Sequence, residues 1–173
     1  MNHKIGLALS GGGVRAIAQI GILKILNENG IKPTIIAGTS GGAIVGALYA
    51  SGNDAQTMMD FFTQTPLFHW SKLALSKAGI LSPKKFMEDF KKYVPFEKIE
   101  DLPIELSIVA TDIVHGREKI FTSGNLLDAV MASAAFPGVF QPVTIDGILY
   151  SDGGIFNNMP ADVIRDQCKF LIG

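Results

Sequence analysis

The chain has 173 residues, 47% of them hydrophobic and 18% charged, with a formal net charge of −1. That length fits one domain with a sizeable buried core, and the balanced charge, with no basic helix or aromatic RNA-binding pattern, excludes nucleic acid as a partner. A lone cysteine, Cys168, excludes an internal disulfide, and without a signal-like leader or a run of about 18 apolar residues a cytoplasmic setting is expected.

Ile5–Leu9 is a short apolar run suited to a central strand. Ser10-Gly11-Gly12-Gly13 reads as a loop, and Val14–Asn29 as a helix stopped by Gly30 and followed by Pro33. Thr34–Ala37 is the second strand, and Ala43–Ser51 is a helix ended by Gly52. This β-loop-α-β-turn-α order predicts a parallel sheet with right-handed crossovers.

The middle of the chain differs. Met58, Met59, Phe61 and Phe62 crowd one helix, Pro66 breaks it, Leu67-Phe68-His69-Trp70 follows, and Ser82-Pro83 opens a helix over Lys84–Tyr93. Between Phe68 and Lys98, seven lysines stand against Glu88, Asp89 and Glu97, a net +4 interleaved with aromatics. Two readings compete: an insertion packed on the sheet with a solvated basic face, or a cap that touches anionic lipid headgroups as a peripheral membrane contact. The large apolar residues here, Phe68 and Trp70 included, are expected in ordinary core, with an acyl channel as the alternative.

The sheet then resumes with Ile104–Thr111 and Glu118–Phe121, and Asn125–Ser133 is a helix. Val143–Ile145 and Ile148–Ser151 flank Asp146-Gly147, a two-residue hairpin signal. Pro160 opens a last helix, Cys168 is expected to be a buried, inert thiol, and Lys169–Ile172 closes the sheet.

Three glycine-rich points carry the chemistry. Gly38-Thr39-Ser40-Gly41-Gly42 joins a strand to a helix, the one context in which G-x-S-x-G marks a nucleophilic serine on a sharp turn above a helix N-terminus. Gly11-Gly12-Gly13 lies between the first strand and its helix, where successive N–H groups make a cradle for a phosphate or an acyl-transfer oxyanion. The loop and Ala16 satisfy the dinucleotide-binding spacing, but the second strand ends in Gly38-Thr39-Ser40 where that fold needs an acid for the ribose, and no Gly-Lys-Ser/Thr closes a Walker loop. If the loop instead serves Ser40, both turns emerge on one edge of the sheet, and the amides of Gly12 and Gly13, assisted by Gly41, face the carbonyl under attack.

A serine nucleophile needs a base. His3 precedes the first strand, His69 lies in the variable middle and His115 sits in a turn, so each is expected to be a surface or satisfied histidine. A carboxylate acting directly is the remaining option. Asp152-Gly153-Gly154 ends a strand, where an apolar pocket would raise the aspartate's pKa, although the same tripeptide also reads as a plain turn. Asp112 and Asp146 read as a strand-end turn and a hairpin tip.

Taken in order, Gly11-Gly12-Gly13-Val14-Arg15, Gly38-Thr39-Ser40-Gly41-Gly42 and Asp152-Gly153-Gly154 closely resemble the patatin-like phospholipases, as do Ala132–Phe140 and Asn157-Asn158-Met159-Pro160. The resemblance runs from about Ile5 to Ile172. It implies a three-layer α/β/α fold with a mainly parallel central sheet, one acyl hydrolase domain over residues 1–173, and a helical cap-like insertion at about 53–100. It further implies Ser40 as nucleophile, Asp152 as proton acceptor, Gly11, Gly12, Gly13 and Arg15 as the oxyanion hole, and Gly38, Gly41 and Gly42 as the nucleophile elbow, with no metal and no cofactor. The substrate would be a phospholipid, lysophospholipid or other acyl ester, met in the cytoplasm or at a membrane surface. Acyl transfer by the same site, or a non-catalytic lipid-binding module, are the rival functions. The departures are Ala16 where the family commonly has glycine, expected to stiffen the first turn, and a chain that stops directly after its last strand.

Overall fold

The computed structural model of the chain describes residues 4–65 and 83–173. Seven strands form one sheet among the described residues. In chain order the elements are β1 (Ile5–Leu9), α1 (Ile17–Glu28), β2 (Ile35–Thr39), α2 (Gly41–Ala50), α3 (Ala55–Gln64), α4 (Pro83–Tyr93), β3 (Glu105–Asp112), β4 (Arg117–Phe121), α5 (Leu126–Ser133), β5 (Val143–Ile145), β6 (Ile148–Asp152), α6 (Ala161–Ile164) and β7 (Phe170–Ile172). The strands β7, β1, β2 and β3 lie side by side and parallel, as the βα alternation of the first fifty residues requires. The remaining strands β4, β5 and β6 run antiparallel to their neighbours.

Side chains alternate across the sheet. Ile36 faces the main core with Leu7 and Leu9, whereas Ile35 and Ala37 face a smaller cluster under Ile164 of α6. The sheet is thus flanked by helices on both faces. Helix α2 is apolar on every side and is buried over its full length, the behaviour expected of such a helix. The helices α3 and α4 place Phe61, Phe62, Phe86 and Phe90 in the same cluster as Leu9 and Ile36. Among the described residues no helix is long and apolar enough to cross a membrane.

Several boundaries differ from expectation for local reasons. Residues Gly13–Ala16 wind as a 3₁₀ turn before α1 begins at Ile17. Strand β2 continues to Thr39, because Gly38 and Thr39 still pair with Ile108 and Val109 of β3. The helix after the serine therefore starts at Gly41, inside the glycine motif. The last helix is a single turn, and Cys168 is half-buried rather than buried. His3, the helix break at Pro66, the stretch Leu67–Trp70 and the cap at Ser82 lie outside the described residues, as do Lys72 and Lys77.

Candidate active site

Strand β3 is a junction. Its residues Ile108 and Val109 pair with Gly38 and Thr39 of β2 on one side and with Phe121 and Ile120 of β4 on the other. One residue further, Ala110 pairs with Lys119 of β4 and with Asp152 of β6. Strands β2 and β6 therefore share one edge of β3 and meet head-on, β2 arriving parallel and β6 antiparallel. Thr39 and Asp152 stand opposite consecutive residues of the same strand, and Ser40 is the next residue after Thr39.

At this joint the Ser40 hydroxyl donates to Asp152 Oδ2 at 2.6 Å. The other carboxylate oxygen, Oδ1, accepts the Gly154 N–H at 2.8 Å. Ser40 itself has φ 53° and ψ −120°, a left-handed conformation that a side chain rarely adopts and that holds Oγ clear of the turn. The turn is too tight for side chains beside it. A Cβ on Gly38 would lie 2.7 Å from the Gly42 carbonyl oxygen, and one on Gly42 would run into the Leu9 carbonyl.

Hydroxyls stitch the joint where the strand ladders stop. Thr39 Oγ1 donates to the Asn157 carbonyl at 2.8 Å, and Thr111 Oγ1 donates to the Asp152 carbonyl at 2.8 Å. Ser151 Oγ donates to the Ala135 carbonyl at 2.8 Å, and Ser133 Oγ accepts the Ser40 N–H at 2.8 Å. Asp152 is only 4% exposed. Burial pushes its carboxyl above the ordinary carboxylate range, with the hydrogen bonds from Ser40 and Gly154 pulling back less strongly.

The glycine loop stands beside the serine. Gly11 already donates its N–H to the Asn158 carbonyl at 3.0 Å, whereas the N–H groups of Gly12 and Gly13 reach no acceptor among the described residues. Arg15 is exposed and forms no ion pair among the described residues. These groups open onto a cleft of about 1000 Å³ that also includes Ser40, Gly41 and Asp152. Its apolar wall is built by Ile44, Phe136, Val139, Phe140 and Ile155. A smaller hollow of about 590 Å³, lined by Ile5, Ile31, Arg165 and β7, shares none of the described residues with this cleft.

Residues 7–165 match the family described as patatin-like phospholipase. The chain belongs to the patatin-like phospholipase family. This patatin-like chain is 38% identical over 159 residues to an uncharacterized NTE family protein of Mycobacterium tuberculosis, which covers 91% of this chain and 44% of the relative. It is 33% identical over 177 residues to the neuropathy target esterase sws of Drosophila melanogaster, covering 95% of this chain and 12% of that protein. It thus spans less than half the length of these curated relatives. Among solved structures, VipD from Legionella pneumophila shares the fold, with a TM-score of 0.61 at 19% identity over 92% of this chain and 47% of that one.

In this patatin-like chain the residues singled out from sequence converge on one place: Ser40, Asp152, Gly11, Gly12, Gly13, Arg15 and Gly41 all border the cleft. Gly38 and Gly42 lie behind it as packing partners of the turn. His115 is elsewhere, its Nδ1 2.8 Å from Asp112 Oδ2. Burial pushes the Asp112 carboxyl up, but hydrogen bonds from His115 and Arg117 outweigh it and hold Asp112 below its usual value. His3 and His69 fall outside the described residues. Asp146 takes the hairpin tip with φ 50°. Met58, Phe61 and Phe62 are core and do not border the cleft, nor does the half-buried Met59, whereas Phe68 and Trp70 fall outside the described residues. The wall residues Phe136, Val139 and Phe140 stand out in the sequence only as part of the segment Ala132–Phe140. The roles of Ser133, Thr39 and Thr111 carry no signal in the sequence, because each hydroxyl meets a partner far away in the chain.

Proposed function

We propose that residues 1–173 form a single serine acyl hydrolase domain that cleaves an acyl ester of a phospholipid or lysophospholipid, with Ser40 as nucleophile and Asp152 as proton acceptor. The observation that carries this reading is the 2.6 Å hydrogen bond from Ser40 Oγ to Asp152 Oδ2 on the floor of the cleft. Ser40 Oγ attacks the ester carbonyl while its proton passes to Asp152 Oδ2. A buried carboxylate with a raised proton affinity is better matched to this transfer than an exposed one. The N–H groups of Gly12 and Gly13 receive the oxyanion, each such donor being worth about 3 kcal/mol in the transition state. Gly41 N–H, next after the nucleophile, assists, and Gly11 holds the loop through Asn158.

Collapse of the tetrahedral intermediate breaks the ester C–O bond, and Asp152 returns its proton to the leaving alcohol. Water, deprotonated by Asp152, then attacks the acyl carbonyl, and as the bond to Oγ breaks Asp152 passes that proton to Ser40 Oγ, releasing the fatty acid. Arg15, exposed at the rim, is placed to neutralise a phosphate or the developing oxyanion. Phe136, Val139 and Ile155 are 58%, 48% and 51% exposed at the cleft and offer an acyl chain an apolar entry. The protein works in the cytoplasm, in peripheral contact with the lipid that presents its substrate. The name of the Drosophila relative, an esterase, agrees with this chemistry.

The test is product analysis by mass spectrometry on a mixed phospholipid panel with the wild type and Ser40→Ala. Free fatty acid released by the wild type and reduced to background in a folded Ser40→Ala is the expected result. Undiminished turnover by Ser40→Ala refutes the reading. Acyl appearing on an added alcohol or thiol rather than on water identifies a transferase. Failure of a fluorophosphonate to label Ser40 identifies a binding module.

A further inference from the structure

The strained backbone at Ser40 needs something to hold it. Its φ of 53° is not one a serine keeps unless its surroundings over-determine it. One contact stands out: the Ser40 N–H donates to Ser133 Oγ at 2.8 Å, across 93 residues of sequence. Ser133 is fully buried, at 0% exposure, and its own proton goes to the Val109 carbonyl at 2.6 Å. A hydroxyl has one proton to give, so this second bond fixes the rotor and turns a lone pair toward Ser40. Val109 is the β3 residue paired with Thr39, and the next one, Ala110, is paired with Asp152. The Ser133 hydroxyl therefore sits in the gap between the two strand ends that carry the dyad. It belongs to the last residue of α5 and does not border the cleft.

We propose that Ser133 is a positioning residue for the nucleophile: its hydroxyl, anchored on the β3 main chain, locks the Ser40 backbone in the left-handed conformation from which Oγ reaches Asp152. The inference rests on the reading of Ser40 as nucleophile. Ser133 touches no substrate, so its loss lowers the rate of acylation without weakening substrate binding. It also occupies the Ser40 N–H, which leaves oxyanion binding to the glycine loop and Gly41. Among the described residues bordering the cleft only Arg15 and Asp152 ionise, so a change in the acid limb of the pH profile is read on Asp152 and its partner Ser40.

The experiment compares Ser133→Ala and Ser133→Cys in the full chain, with Tyr49→Phe as a control and Ser40→Ala as the nucleophile-null. Tyr49 donates its hydroxyl to Asn27 Oδ1 at 2.7 Å from the end of α2 remote from the serine, so Tyr49→Phe also removes a buried hydroxyl bond. Readouts are kcat, KM and pH profile on a soluble p-nitrophenyl ester, the rate of fluorophosphonate labelling, and Tm. Ser133→Ala is expected to lower kcat and the labelling rate together by about 10–100-fold, the scale of a small misplacement of a reacting group, with KM within about twofold. The acid limb of kcat/KM moves to higher pH, because a loosened Ser40 no longer favours the Asp152 carboxylate. Ser133→Cys recovers part of both effects, and Tyr49→Phe lowers Tm alone. Unchanged kcat and acid limb in Ser133→Ala overturn the proposal, as does a kcat loss matched in Tyr49→Phe. Should the alanine variant not fold, the same unchanged values in Ser133→Cys overturn it. Residual turnover in Ser40→Ala removes the nucleophile reading itself, whereas an inactive Ser40→Ala beside a fully active Ser133→Ala removes only the positioning role.

Discussion

Asp152 is a carboxylate kept almost out of water, and both of its oxygens are spoken for, one by Ser40 and one by Gly154. Its raised pKa has two consequences of opposite kind. In the proposed mechanism Asp152 must be ionised, so kcat/KM is expected to fall on the acid side with an apparent pKa above the ordinary carboxylate value of about 3.9. For stability, the native state holds this proton more tightly than the unfolded chain. Between the unfolded and the raised native pKa the native state binds more protons, so this group's contribution to stability falls as pH rises through that window. Asp152→Asn removes the buried charge and keeps the shape. It is expected to abolish hydrolysis yet raise Tm at neutral pH, where the buried charge is no longer carried. A calorimetric scan beside an esterase assay checks both. These residues were legible to different degrees. Ser40 announces itself through glycines that must approach their neighbours closely, but Asp152-Gly153-Gly154 reads equally as a turn until β6 is seen to end against β3. That Gly11 spends its N–H on Asn158 has no trace in the sequence.

Elements with a strong local signal are legible in the sequence. An apolar run followed by small residues gave β2 and the fully buried α2, and Asp146-Gly147 gave the β5–β6 hairpin. Boundaries moved where tertiary pairing overrides local preference, as at Thr39, which stays in the sheet because Val109 lies opposite. Helix α5 tests the separability of scaffold and site. Its N-cap, Asn125, accepts the Asp128 N–H at 2.9 Å, at the end of the helix opposite Ser133. Asn125→Ala is expected to cost about 1 kcal/mol in a denaturant titration. The kcat on a soluble ester stays at the wild-type value, because one frayed turn does not reach the residue that holds Ser40. The head-on meeting of β2 and β6 was the feature least accessible to sequence reasoning. Strand patterns report which faces are buried, and they carry no information on which edge of β3 a later antiparallel strand will choose.

Across the whole molecule, the described part of the stretch read as an insertion packed on the sheet puts Phe61, Phe86 and Phe90 into the central core, in line with the expectation that its large apolar residues are ordinary core. Crowded aromatics predict core here, but the partners of each ring come only from the tertiary packing. The Phe61 ring lies 5.4 Å from Phe62, 5.9 Å from Phe86 and 6.1 Å from Phe90, centroid to centroid. Phe61→Ala is expected to lower stability by about 3–5 kcal/mol while leaving KM for a soluble ester unchanged, since the ring does not border the cleft. Urea unfolding monitored together with steady-state kinetics checks the pair. The junction on β3 also sets when Ser40 and Asp152 first meet. Ser40 and Asp152 are 112 residues apart in the chain, and they are united only when β6 docks against β3. A ribosome delivers the first long before the second, so an unfinished polypeptide carries an alcohol with nothing to take its proton. If the two residues work together as proposed, hydrolysis begins only once that docking is complete.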